Sequence, residues 1–445
     1  MKPIISLKPS RVLNLIVAAV LVWVPFAAFF TTWLASGIGH YTILRGLEDV
    51  VVVVGALVAT VILFQKPRLW EKLRNQQVTW LVVAYTVLEI TLGLVALARH
   101  DVNAKALGYG LLVNLRFLGF FIVCLVAASQ SSWLVKKWKA LVLIPASVVI
   151  AFGLVEHFVL SYDFLSHFGY SLKTIAPYET VNSSINYVRI FSTLRGSDPF
   201  GAYLVLIISL VLVLILKSKV LKQRLIYGLL LLGALIDLFY SYSRSAWIGA
   251  ALSVALLLIG HNIVNRRGRR ILGLALVVIL IAVSSSFFVL RNNLTFQTDI
   301  LHTNSDSLIP TSSNQGHLTA LKSGLKDIVH QPLGRGPGTA GPASVYNLAP
   351  PRIAEDYFIQ IGQEVGWIGI VLFILINWLV AKGLYLYKFD YLALGLLSAL
   401  IGITFINLVS HAWTDNTLSY LWWGLAGIAL SPVLSSLKAK TRAPK

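Results

Sequence analysis

The sequence predicts an all-α polytopic membrane protein with about 12 transmembrane helices and a large extracytoplasmic loop, itself containing helices, between spans 9 and 10. Three observations predict it. Hydrophobic residues make up 57% of the 445 and charged ones 12%, a balance that a water-soluble domain of this length does not show. Apolar runs of the roughly 20 residues needed to cross a bilayer core recur along the whole chain. Lysine and arginine alternate between connections: with the N-terminus inside, 24 of the 37 fall on inner segments, 12 on the longer outer ones, and Arg116 within a span. That is the positive-inside pattern. It assigns the net charge of +19 to membrane topology rather than nucleic-acid binding, and it places both termini in the cytoplasm.

Residues 1–160 hold spans 1 to 5, at about 12–34, 47–64, 79–98, 107–128 and 140–160. The first run follows a basic start and lacks a small-residue cleavage site, which predicts a retained helix rather than a signal peptide. Glu89 and Arg116 lie at matching depth in adjacent antiparallel spans, and intramembrane charges usually pair, so an ion pair is expected between them. The single cysteine, Cys124, falls inside span 4 and can form no intrachain disulfide.

Residues 161–198 form a first long outer loop, polar and aromatic; spans 6 to 9 follow within 199–290, at about 199–216, 225–241, 245–261 and 271–290. The apolar stretch 225–260 would measure about 54 Å as one helix, too long for a single crossing. A break is therefore expected at YSYSRS, residues 240–245, which puts Arg244 at a helix junction on the outer surface. Residues 291–364 are the largest polar segment. There Ser312, Ser313 or Asn314 can cap a helix over about 317–329, with Leu318, Leu321, Leu325 and Ile328 on one face. Pro332 stops it, and Gly334, Gly336, Gly338 and Gly341 read as a flexible turn. A second helix is expected from near Ala354 into span 10, with Asp356, Gln360 and Gln363 or Glu364 as a polar stripe. Residues 365–445 complete the chain with spans 10 to 12, at about 365–381, 391–409 and 418–436, and a basic tail.

Several polar residues could carry chemistry, and each also has a plain structural reading. Arg244 suits a phosphate or pyrophosphate, or else snorkels to lipid headgroups or pairs with Asp237. Arg189 and Arg195 could add positive charge to the same site or contact anionic lipid. Glu355 and Asp356 open a helix, where one could be a general base and the other a cap. His317 could shuttle a proton, bind phosphate or be solvated. His317, His330 and Glu355 lack zinc-type spacing, so no metal site is expected. The GRGPG loop around Arg335 could cradle phosphate or simply turn the chain.

Four segments together resemble the O-antigen ligase and polymerase superfamily of bacterial envelope glycan assembly: VRIFSTLRGSDPFGAYL, SRSAW, HQPLGRGPG and EDYFIQIGQEVGWIG, within about residues 187–370. The resemblance implies a GT-C-like, metal-independent glycosyltransferase of the cytoplasmic membrane's outer face, needing no cofactor. Its donor would be an undecaprenyl diphosphate-linked oligosaccharide, with a glycan acceptor, membrane lipids and, as further partners, a chain-length regulator or other envelope-assembly proteins. Arg244 matches the arginine that holds the donor diphosphate; Arg189, Arg195 and Arg335 could join it. Ligases of this kind carry a histidine, a small polar residue, nine others and Gly-x-x-Gly. Here Glu355, Asp356, Gly366 and Gly369 keep the spacing but put glutamate in the histidine's place. His317 stands where ligases carry a second arginine. These departures suit a polymerase-like member with Glu355, assisted by His317, as catalytic residues. A ligase moving a finished glycan, or a transporter of the same lipid-linked sugars, are the alternatives; a transporter should concentrate its charges mid-membrane and tolerate Glu355→Gln.

Overall fold

The computed structural model describes residues 8–181, 184–260, 313–388 and 390–434. Among them, eight helices are long and apolar enough to cross a membrane. The first is α1 (Pro9–Trp23) continued through a 3-10 turn, Val24–Phe26, into α2 (Ala27–Ile38). After the short α3 (Tyr41–Arg45) come α4 (Leu47–Gln65), the surface helix α5 (Pro67–Arg74), α6 (Gln77–Ala98), α7 (Ala104–Gln130) and α8 (Trp133–Phe158). Then follow α9 (Ser197–Lys217), α10 (Leu221–Tyr240), α11 (Arg244–Gly260), the outer helix α12 (Ser313–His330), α13 (Tyr357–Leu386), α14 (Tyr391–Asn407) and α15 (Asn416–Leu430). Three expected spans, α11, α14 and α15, form apolar helices of only 17, 17 and 15 residues. The ninth, at 271–290, lies outside the described residues.

Apolar periodicity reports helices and is silent about short pairings in a loop. The first outer loop accordingly holds the only strands among the described residues, an antiparallel hairpin of β1 (Glu179–Val181) and β2 (Ser184–Arg189), with Glu179 opposite Arg189. Glu179 reaches past it to accept from the Ser197 hydroxyl at 2.5 Å, tying the hairpin to the start of α9. The expected break at 240–245 is a tight turn in which Tyr242 adopts a left-handed φ of 50°. It is held by the Trp247 indole donating to the Leu238 carbonyl at 2.7 Å and by Trp247 stacking on Phe239.

Small residues let helices approach closely where lipid offers no hydrophobic drive for association. A Cβ on Gly402 of α14 would lie 2.1 Å from the Gly249 carbonyl oxygen of α11, so these two helices touch backbone to backbone. That contact fixes Arg244, at the head of α11, relative to the connection after α14.

The glycine-rich loop has a more specific role than a flexible turn. Inside α13, Val365 and Gly366 leave helical geometry, which frees the carbonyls of Gln363 and Glu364 from the helix ladder. Arg335 and Gly336 donate their backbone N–H groups to those two oxygens at 2.9 and 2.7 Å. Gly338, at φ 84°, lies so close to α7 that an added Cβ would stand 2.4 Å from the Ala106 carbonyl. The loop is thus a wedge between α7 and the α13 kink. Outer helix α12 packs Ile328 against Ala354 and Ile359, whereas Leu325, expected on the same face, is 46% exposed.

The expected Glu89–Arg116 ion pair does not form. Arg116 pairs with Asp49 of α4 at 3.4 Å, while Glu89 accepts from Asn114. A helix turns about 100° per residue, so Asn114 and Arg116, two positions apart on α7, look out of different faces. Matching depth brought the right spans together and left the rotation undetermined.

Candidate active site

Six separate chain segments converge on a cavity of about 640 Å³, one of them α12 through Leu321. The end of β2 supplies Arg189, whose Nη2 pairs with Asp198 Oδ1 at 2.8 Å and whose Nε donates to the Ser241 carbonyl at 3.1 Å. The link into α9 supplies Arg195, its Nε 3.0 Å from Asp415 Oδ2. The turn before α11 supplies Tyr242 and Arg244. Glu355 lines the cavity just ahead of α13, held at a left-handed φ of 55°. The connection from α14 to α15 closes it with His411, Thr414 and Asp415.

Arg244 is the first residue of α11, where the helix dipole presents its positive end. A guanidinium there is unfavourable for the helix itself, and Arg189 adds a second positive charge nearby. Asp198 pairs with Arg189 and Asp415 with Arg195, so the arginine charge on the lining is partly offset by carboxylates. Such an arrangement favours an anion with several oxygens. Part of the wall is apolar: Phe405, Leu408 and Val409 line it, and the last two are 49% and 42% exposed.

Of the carboxylate pair, Glu355 faces the cavity and Asp356 does not line it. Asp356 is the N-cap of α13, accepting from Ile359 N–H at 2.9 Å. Burial lifts its carboxyl above the usual range despite that bond and a second from Phe358. Arg335 is exposed and outside the cavity lining, its guanidinium donating to Gln331. His317 falls in α12, and its side chain lies outside the described residues. Arg352 pairs with Asp327 at 2.8 Å. Burial raises the Asp327 carboxyl, but the bonds from Arg352 and Gln363 outweigh it and hold that group below its ordinary value.

The sequence reading passed over His411 and Asp415. Both sit in HAWTDN, a short polar interruption between two apolar runs, which reads as a mere connection. Burial, then Arg195, pushes the His411 imidazole below its ordinary 6.5, while Glu355 and Asp198 pull it back up. The unfolded chain therefore takes up this proton first as pH falls. The associated stability is complete above pH 6.5 and declines below it until the folded group also titrates. His411→Gln should accordingly lose less thermal stability than the unsubstituted protein as the pH falls below 6.5. Equal acid slopes in the two melting series would contradict this.

The same connection is anchored from α7. Arg116 Nη2 donates to the Thr414 carbonyl at 2.7 Å, and its Nη1 pairs with Asp49, which also accepts from the Tyr420 hydroxyl at 2.5 Å. These side chains are buried, at 7% and 10% exposure for Arg116 and Asp49. Arg116→Gln leaves Asp49 buried without its cation, a change that typically costs about 3–5 kcal/mol. A clear fall in melting temperature in detergent is expected, and an unchanged one would show that the network does not hold the connection.

The family comparison falls on the same helices. Residues 229–374 match the family model described as O-antigen ligase. The match supports the O-antigen ligase and polymerase superfamily. No curated protein matches the chain. The matched segment runs from α10 through α11 and α12 into α13, so it contains Arg244 and Glu355. Arg189, Arg195 and His411 reach the cavity from outside that segment.

Proposed function

We propose that the protein is a glycosyltransferase of the bacterial cytoplasmic membrane that polymerises undecaprenyl diphosphate-linked oligosaccharide repeats at the outer face. The observation that carries this reading is one cavity with Arg189, Arg195 and Arg244 beside an apolar wall, with Glu355 on the same lining. A lipid diphosphate has this dual character, a polyanionic head on a hydrocarbon tail.

In the reaction, a hydroxyl oxygen of the acceptor glycan bonds to the anomeric carbon of the donor. The carbon–oxygen bond to the diphosphate breaks, and the leaving lipid diphosphate keeps the electron pair. Glu355 accepts the hydroxyl proton, and the arginines stabilise the charge that grows on the leaving group. Attack from the face opposite the diphosphate inverts the anomeric centre. No step calls for a metal or cofactor.

The ligase reading is favoured by a specific observation, the description of the matching family. It shares the donor half of the reaction and differs in the acceptor. Incubating the purified protein with a lipid diphosphate-linked repeat and resolving products by size separates the two. A ladder of lengthening lipid-linked chains supports polymerisation, single transfer to a different acceptor supports ligation, and absence of any covalent product would favour transport.

A further inference from the structure

Glu89 of α6 and Glu364 of α13 are both fully buried, and both accept from one amide nitrogen. Asn114 Nδ2 lies 3.2 Å from each oxygen of Glu89 and 2.8 Å from Oε2 of Glu364. The other Glu364 oxygen accepts the Gly338 N–H at 2.7 Å, so the wedge loop hangs on this carboxylate. Two ionised carboxylates brought to one neutral donor in a low-dielectric interior repel strongly. Among the described residues neither makes an ion pair.

The groups facing the pair come from every element around it. Tyr85 lies beside Glu89 on α6, Tyr357 and Gln360 approach from α13, and Arg116 of α7 acts on Tyr357. The Tyr357 hydroxyl and the Asn114 carbonyl oxygen are buried and have no hydrogen-bond partner among the described residues. The centre is therefore polar, tightly enclosed and short of one positive charge. Asn114 points its N–H groups between the carboxylates, and a proton on one of them would supply the missing charge.

We propose that Glu89 and Glu364 hold one proton between them, forming a buried proton-binding site that pins the glycine-rich loop to the α13 kink. The single remaining negative charge is what Asn114 and the Gly338 amide stabilise. Loss of the proton would put a second charge there and loosen the loop. The proposal does not rest on the transfer reaction.

Infrared difference spectroscopy of the full chain in lipid nanodiscs tests it at neutral pH. Glu89→Gln, Glu364→Gln and the double variant should each lose the same single protonated-carboxyl band. No loss in the double variant means both groups are ionised, and loss of two bands there means both are protonated; each overturns the proposal. Amide exchange of residues 336–341, corrected for intrinsic rates, supplies a readout in the unsubstituted protein. Protection should fall at alkaline pH there and stay constant in Glu89→Gln. Protection that ignores pH, or that falls equally in the variant, would sink the idea.

Discussion

Arg244→Ala should lower transfer by about 10²–10³-fold or more, the effect of removing one preorganised donor from a charge developing in the transition state. The loss should appear in single-turnover transfer from a lipid diphosphate-linked donor. The same substitution should leave the melting temperature nearly unchanged. Arg244 sits at the positive end of α11, where its charge is unfavourable for the helix, and α11 is seated on α14 through the close approach of Gly249 and Gly402. A variant that loses activity and stability together would indicate a structural arginine. One that keeps its activity would remove the diphosphate reading altogether.

Glu355→Gln should cost about 10²–10⁴-fold in the same assay, the range for loss of a positioned general base. Glutamine keeps the volume and the cavity lining but takes no proton. The companion substitution Asp356→Asn should be nearly silent in activity and stability, because asparagine caps a helix about as well as aspartate and Asp356 acts through the Ile359 amide. The pair therefore separates two neighbouring carboxylates by role. Equal losses in both variants would mean that the geometry at the head of α13, rather than a base, is what transfer requires. The left-handed φ of Glu355 sharpens the contrast, since a non-glycine residue held there costs free energy that its surroundings must offset.

Several features of the candidate site were legible residue by residue. The break at 240–245 followed from an apolar run too long for one crossing, and it puts Arg244 where a junction was expected. The polar stripe of α13 was visible at helical spacing, and Gln360, Gln363 and Glu364 are indeed there, buried against neighbours rather than facing water. The hairpin that delivers Arg189 was not legible, because three- and six-residue strands in a loop carry no apolar period. Nor was His411, whose only signal was a polar interruption.

The sequence by itself determined a multi-pass helical membrane protein and most helix positions, and its motifs pointed to the superfamily that the 229–374 match supports. These are local signals: burial in a bilayer selects apolar residues over about 20 consecutive positions, whatever the rest of the chain does. Only the tertiary structure decided which polar groups meet. Arg116 and Thr414 are 298 positions apart, and Arg116 chose Asp49 over Glu89 because of how α7 is rotated about its axis. Hydropathy fixes the depth of a side chain in the membrane. Its azimuth is set by packing against neighbouring helices, and the cavity is made of azimuths.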